Sequence, residues 1–129
     1  MDKNQIMMEL EKYSKLVDEA DIINFIDAYL SNSFYIDPDT IKNDGEYSFI
    51  SQVTGILGER SLDRDGRTIR YAKLVLGNRI TFTLWNEEIE RYFEMLAEGR
   101  KYRFIFCNIR FTRFGIEGSL GLRGFILNY

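Results

Sequence analysis

The sequence predicts a mostly-β domain with added helices: a five-stranded barrel with one helix between its third and fourth strands, behind a helical N-terminal segment. Three observations point there. Apolar residues recur at helical steps before residue 46 and alternate at strand spacing after it. A Gly77-Asn78 pair joins two strand-like runs as a hairpin turn. One helical stripe then interrupts the strands between Asn86 and Ala97.

In chain order, Ile6, Leu10, Tyr13 and Val17 form one apolar helix face, and Ile22, Ile23, Ile26, Tyr29 and Leu30 form another. Ser31-Asn32-Ser33 breaks the second helix. Asp37-Pro38 pairs an N-cap with a proline at the first helical position, which starts at most one further turn. Asn43-Asp44-Gly45 closes the segment as a turn, dividing the chain into residues 1–45 and a barrel domain over 46–129.

Phe49 to Leu57 is the expected first strand, followed by a long loop from Gly58 to Thr68. Ile69 to Leu76 and Arg79 to Trp85 are the second and third strands. The third alternates cleanly, with Ile80, Phe82 and Leu84 on one face and Arg79, Thr81, Thr83 and Trp85 on the other. Asn86 is the expected cap of a helix to Ala97, with Ile89, Tyr92, Phe93 and Leu96 as its stripe and Gly99 as its stop. Lys101 to Phe111 and Ser119 to Leu127 complete the strands, separated by a turn region from Thr112 to Gly118. Tyr102, Phe104 and Phe106 alternate with Ile105, Cys107 and Ile109, so the fourth strand reads as apolar on both faces. Strand, strand, strand, helix, strand, strand is the chain order of the OB-fold, whose second and third strands face the ligand.

Composition removes several classes of chemistry. The 129 residues are 45% apolar and 29% charged, ordinary for one soluble domain. No run approaches the roughly 18 apolar residues of a membrane span. With no histidine, the chain has neither a Ser-His-Asp nor a Cys-His pair, and no metal or other cofactor is expected. Asp63-Arg64-Asp65-Gly66 starts like a calcium loop, but Leu74 stands where its closing glutamate belongs, so a polar turn is expected instead. A single cysteine, Cys107, fits a reducing, intracellular setting. No nucleophile, base and metal constellation points to an enzyme.

Charge is unevenly distributed. Residues 1–45 carry four Lys against ten acids, a net of −6, whereas residues 46–129 carry thirteen Lys and Arg against ten acids, a net of +3. The body, rather than the front, is therefore the part expected to meet a polyanion.

The stretch Ile80-Thr-Phe-Thr-Leu-Trp-Asn-Glu-Glu-Ile-Glu-Arg-Tyr-Phe resembles the third strand and following helix of DNA-binding domains in the large subunit of replication protein A. Gln52-Val53-Thr54 and the glycine-containing connection before Tyr102 look like the same family, and the resemblance spans about residues 47–128. It implies binding of single-stranded DNA by base stacking, on an aromatic at the end of the third strand, here Trp85, and on one between the last strands. Phe114 is the candidate for the second, with Phe111 as its rival. The middle of the third strand, where that family carries a basic residue, is Thr81 here.

The residue types support that chemistry separately. A single-strand binder needs flat rings for bases and cations for phosphates. Trp85 sits on the polar face of its strand, with Thr81, Thr83 and Asn86 as polar neighbours. Arg60, Arg64 and Arg67 on the first loop, and Arg110 and Arg113 near the last, flank that face from two sides. Arg70, Lys73 and Arg79 are either phosphate contacts or a solvated face. Glu87, Glu88, Glu90 and Glu94 read as a solvated helix face. The expected partner is single-stranded DNA, with RNA and a protein-interaction role in a replication or telomere-type complex as alternatives. The N-terminal helices either cap the barrel or offer a surface to a protein partner.

Overall fold

The computed structural model describes residues 31–129; the two expected N-terminal helices lie outside the described residues. Its six strands are β1 (Gly45–Arg64), β2 (Arg67–Leu76), β3 (Ile80–Trp85), β4 (Lys101–Thr112), β5 (Gly115–Ser119) and β6 (Phe125–Asn128). Helix α1 (Glu87–Tyr92) lies between β3 and β4.

The sheet order β1-β2-β3-β5-β4 closes on itself through a β1–β4 pairing, giving a ring of five strands. All neighbours are antiparallel except β3 and β5, which run parallel. β5 and β6 follow one another along the same edge of β4, β5 on Asn108–Thr112 and β6 on Tyr102–Ile105. The fifth strand read from Ser119 to Leu127 is thus two strands, and it begins earlier, at Gly115. The break falls at Leu120 to Gly124, where Gly121 has a φ of +67° and an added Cβ would come within 2.3 Å of the Asn108 amide.

The expected loop from Gly58 to Thr68 is instead a continuous β-ribbon. β1 and β2 stay paired from Arg60 opposite Tyr71 out to Arg64 opposite Arg67. Asp65 and Gly66, with φ of 53° and 74°, close it; two residues at positive φ make the turn whose twist suits a hairpin. The β2–β3 turn uses the same device, with Gly77 and Asn78 at φ of 58° and 55° and Arg79 donating its N–H to Leu76 O at 3.0 Å. Ring closure requires β1 to bend, and register shifts at Val53/Gly55 and Leu57/Arg60 supply bulges there.

From Tyr102 to Ile105 both faces of β4 are buried, as expected, but a bulge changes which later residues face the core. Between Tyr47 opposite Cys107 and Phe49 opposite Phe104, the single Ser48 faces both Ile105 and Phe106. Phe106 takes a φ of 51°, and its N–H donates to Ser48 Oγ at 3.0 Å. Alternation reverses there. Tyr102 and Phe104 point inward before it, and Cys107 and Ile109 after it, while Phe106 turns out to meet the Phe34 ring at 6.2 Å.

The core is aromatic at its centre. Phe49 stacks on Phe104 at 5.4 Å, and Phe82 meets Phe104 at 5.2 Å. Gly118 lets β5 close over it, since a Cβ there would lie 2.7 Å from the Phe82 ring. One end of the barrel is covered by α1 and the following turn, which bury Ile89, Tyr92 and Leu96. The helix is shorter than expected. It gives way to a 3-10 turn at Phe93–Met95, and Tyr102 fixes the segment behind it, its hydroxyl donating to Met95 O at 2.9 Å and accepting from Ala97 N at 2.7 Å.

The chain before β1 is tied to the barrel. Pro38–Thr40 forms the single expected turn, with Asp37 capping it by accepting from Asp39 N at 2.9 Å. Ile36 bridges to Phe49 in parallel, and Ile41 is buried in the core. Tyr35 and Tyr129 hold the buried Arg103 guanidinium between them, each ring 5.2 Å from it. Burial raises the Tyr35 phenol above its usual range, opposed by its hydrogen bond to Arg103.

Candidate nucleic-acid interface

Because Ala72, Leu74, Leu76, Ile80, Phe82 and Leu84 fill the barrel, the intervening residues of β2 and β3 must face out. That row holds Tyr71, Lys73 and Val75 on β2 and Thr81, Thr83 and Trp85 on β3. Tyr71 and Trp85 are directly opposite, their ring centroids 5.8 Å apart at 46°. Trp85 is 41% exposed, high for a ring of that size. Lys73 Nζ stands 5.9 Å from the Tyr71 ring centre.

Two depressions flank the rings. On the β5 side, Thr83, Trp85, Asn108, Arg110, Glu117, Gly118 and Ser119 enclose about 160 Å³. On the β1 side, Leu57, Gly58, Arg60, Tyr71 and Lys73 line about 260 Å³. Arg60 is level with Tyr71 where the ribbon leaves the barrel, and Arg64 and Arg67 are paired at its tip.

The β4–β5 hairpin stands at the other end of the face. Thr112 pairs with Gly115, leaving Arg113 and Phe114 as its turn. Phe114 is 83% exposed, and the Arg113 guanidinium lies 4.8 Å from its ring centre. Ile80 pairs with Ile116, so Phe114 is level with a point two residues before β3 begins. Along the strands that is seven residues from Trp85, roughly 23 Å at about 3.3 Å per residue. Phe111 shares the parity of Cys107 and Ile109 and pairs with Ile116, so it extends the inward row past the barrel rather than joining Trp85.

Several other candidates have structural tasks. Arg79 donates to Pro38 O at 2.6 Å and to Ile41 O at 3.0 Å, binding the pre-barrel chain to the start of β3. Arg70 pairs with Glu90 and with Glu59, joining the ribbon to α1. Asn86, at φ 52°, lengthens the β2–β3 ladder by giving its N–H to Arg70 O at 2.9 Å and accepting from Arg70 N at 3.2 Å. It makes no side-chain cap. Glu88 is more than a solvated residue, since its Oε1 accepts the Trp85 N–H at 2.8 Å. Burial pushes the Glu88 carboxyl above the usual carboxylate range, partly offset by that bond.

The face therefore brings together Trp85, Lys73, Thr81, Thr83 and Arg110, with Arg60, Arg64 and Arg67 at one end and Arg113 and Phe114 at the other. Tyr71, Asn108, Glu117 and Ser119 belong to it as well and were not among the expected residues. Tyr71 was the most legible of them, since it alternates with Ala72 and Leu74.

No family model and no curated protein matches the chain. Solved structures do. The replication factor A related protein of Methanobacterium thermoautotrophicum superposes with a TM-score of 0.58 at 21% identity, over 71% of this chain and 87% of that one. The second OB-fold domain of replication protein A from Methanococcus maripaludis gives 0.52 at 18% identity, over 66% of this chain and 87% of that one. This barrel is an OB-fold. A replication protein A heterotrimer bound to single-stranded DNA gives 0.59 at 12% identity; the match covers 73% of this chain but 24% of the heterotrimer chain.

Proposed function

We propose that this OB-fold binds single-stranded DNA across the outward face of β2 and β3, in replication or repair. The observation that carries the reading is the exposed Trp85 ring opposite the half-buried Tyr71 on a mostly polar face, with Lys73 and Arg110 beside it. Stacked bases need ring faces open to solvent, and each is worth about 1–3 kcal/mol. Bases would lie on Trp85 and Tyr71 while the phosphates run past Lys73, Arg60 and Arg110. The ribbon and the β4–β5 hairpin would wall the strand from the two ends of the face, with Phe114 offering a further ring. The likeness in fold to a replication protein A heterotrimer bound to single-stranded DNA supports the same reading.

Trp85 is the chain's single tryptophan, so its fluorescence reports on the proposed site. Titration with oligo-dT should quench it saturably, and duplex DNA should bind more weakly. Tighter binding of oligo-U would transfer the reading to RNA. No response to any nucleic acid would leave the fold as a protein-interaction module.

A further inference from the structure

We propose that the cavity beside Trp85 reads guanine, with the Glu117 carboxylate as the selective group; this rests on the single-strand reading above. Gly118 faces the core, so Glu117 and Ser119 on either side of it face out. Glu117 is opposite both Arg110 and Thr81, and Ser119 is opposite both Asn108 and Thr83. Gly121 makes room for the Asn108 amide, which an added Cβ would strike at 2.3 Å. The result is a depression of about 160 Å³ with Trp85 as one wall and a carboxylate, a guanidinium, an amide and two hydroxyls as its lining.

The carboxylate is the informative feature. On a surface built only to hold phosphates, Glu117 would repel its ligand. The ion pairs among the described residues engage Glu46, Glu59 and Glu90, and Glu117 is in none of them. A base stacked on Trp85 would turn its edge toward this lining, and an ionised carboxylate accepts hydrogen bonds without donating any. Guanine presents two adjacent donors, N1–H and the N2 amine, which a carboxylate can accept as a pair. Its neighbouring O6 is an acceptor suited to Arg110 or Asn108. Adenine and cytosine offer one exocyclic amine each, and in thymine the lone imide N–H is flanked by two carbonyls that would face the negative charge.

The test places a single dG, dI, dA or dC at successive positions of an oligo-dT and measures affinity by anisotropy, for the parent chain, E117Q and E117D. At one register dG should tighten binding at least about fivefold over dT, the lower end for a paired hydrogen-bond contact. Inosine, which lacks the N2 amine, should lose part of that gain. E117Q should bring the dG/dT ratio close to one, and E117D should keep part of the preference. If oligo-dT binds but dG brings no gain, or the gain survives in E117Q, the guanine assignment is overturned and single-strand binding stands. If no single strand binds the parent chain, both proposals fall.

Discussion

Trp85 at the end of β3 and Arg79 just before its start are held in place by different contacts. Trp85 lies opposite Tyr71 and is held from behind by Glu88 through its backbone N–H, so its ring is positioned without being buried. Trp85→Ala should therefore weaken single-strand affinity by about 1–3 kcal/mol and leave the melting temperature nearly unchanged. Unfolding of the variant, or parental affinity, would remove the stacking role. The backbone bond to Glu88 has its own consequence. Because burial raises this carboxyl, its charge disfavours the fold as pH rises from its unfolded value through its folded one. Glu88→Gln keeps an acceptor without the charge, so it should be at least as stable as the parent at neutral pH. Glu88→Ala should lose about 1 kcal/mol, measured by chemical denaturation.

At the scale of elements, the β1–β2 ribbon is where the proposed site would gain cations beyond the barrel itself. Arg64 and Arg67 are paired at its tip, exposed at the Trp85 end of the face. Single-strand binding releases counterions with a slope of about −0.7 per phosphate contact. Replacing Arg64 and Arg67 together should flatten the salt dependence of affinity by up to about 1.4. Arg79→Met should instead lower stability and leave the slope alone, since that guanidinium serves the carbonyls of Pro38 and Ile41. An unchanged slope in the double variant would take the ribbon out of the site. The ribbon was also the hardest element to read in the sequence. From Gly58 to Thr68 both its faces meet solvent, so no apolar alternation marks it as a strand; its one signal is the Asp65-Gly66 turn. β3 was read almost residue for residue, because one of its faces fills the barrel and the other is polar. β4 misled for a third reason. A single bulge at Ile105-Phe106 reverses the parity of every later residue in the strand, and periodicity carries no mark of it. The same parity change is why Arg110 shares the outward face with Thr83 and Trp85 and Phe111 does not.

For the whole molecule, the described residues before Gly45 are packed against the barrel. Ile41 is 2% exposed, Ile36 bridges to β1, and Pro38 and Ile41 supply Arg79 with its acceptors. A chain starting at Ser31 should fold and bind oligo-dT at least as tightly as the full chain, since acidic residues near a phosphate backbone repel it. One starting at Asp44 should lose about 2–5 kcal/mol from Ile41 alone. Thermal melts and anisotropy on the two truncations check both statements, and loss of binding by a well-folded Ser31 form would place the ligand against the N-terminal segment instead. One surface is central to the proposed function, the outward face of β2 and β3 between its two hairpins. Amide chemical-shift mapping on adding oligo-dT tests that surface most directly. The largest shifts should fall on Tyr71, Lys73, Thr83, Trp85, Arg110 and Ser119, with smaller ones at Arg60 and Phe114. Shifts gathered instead around Tyr35, Arg103 and Tyr129, with the β2–β3 face unmoved, would contradict it.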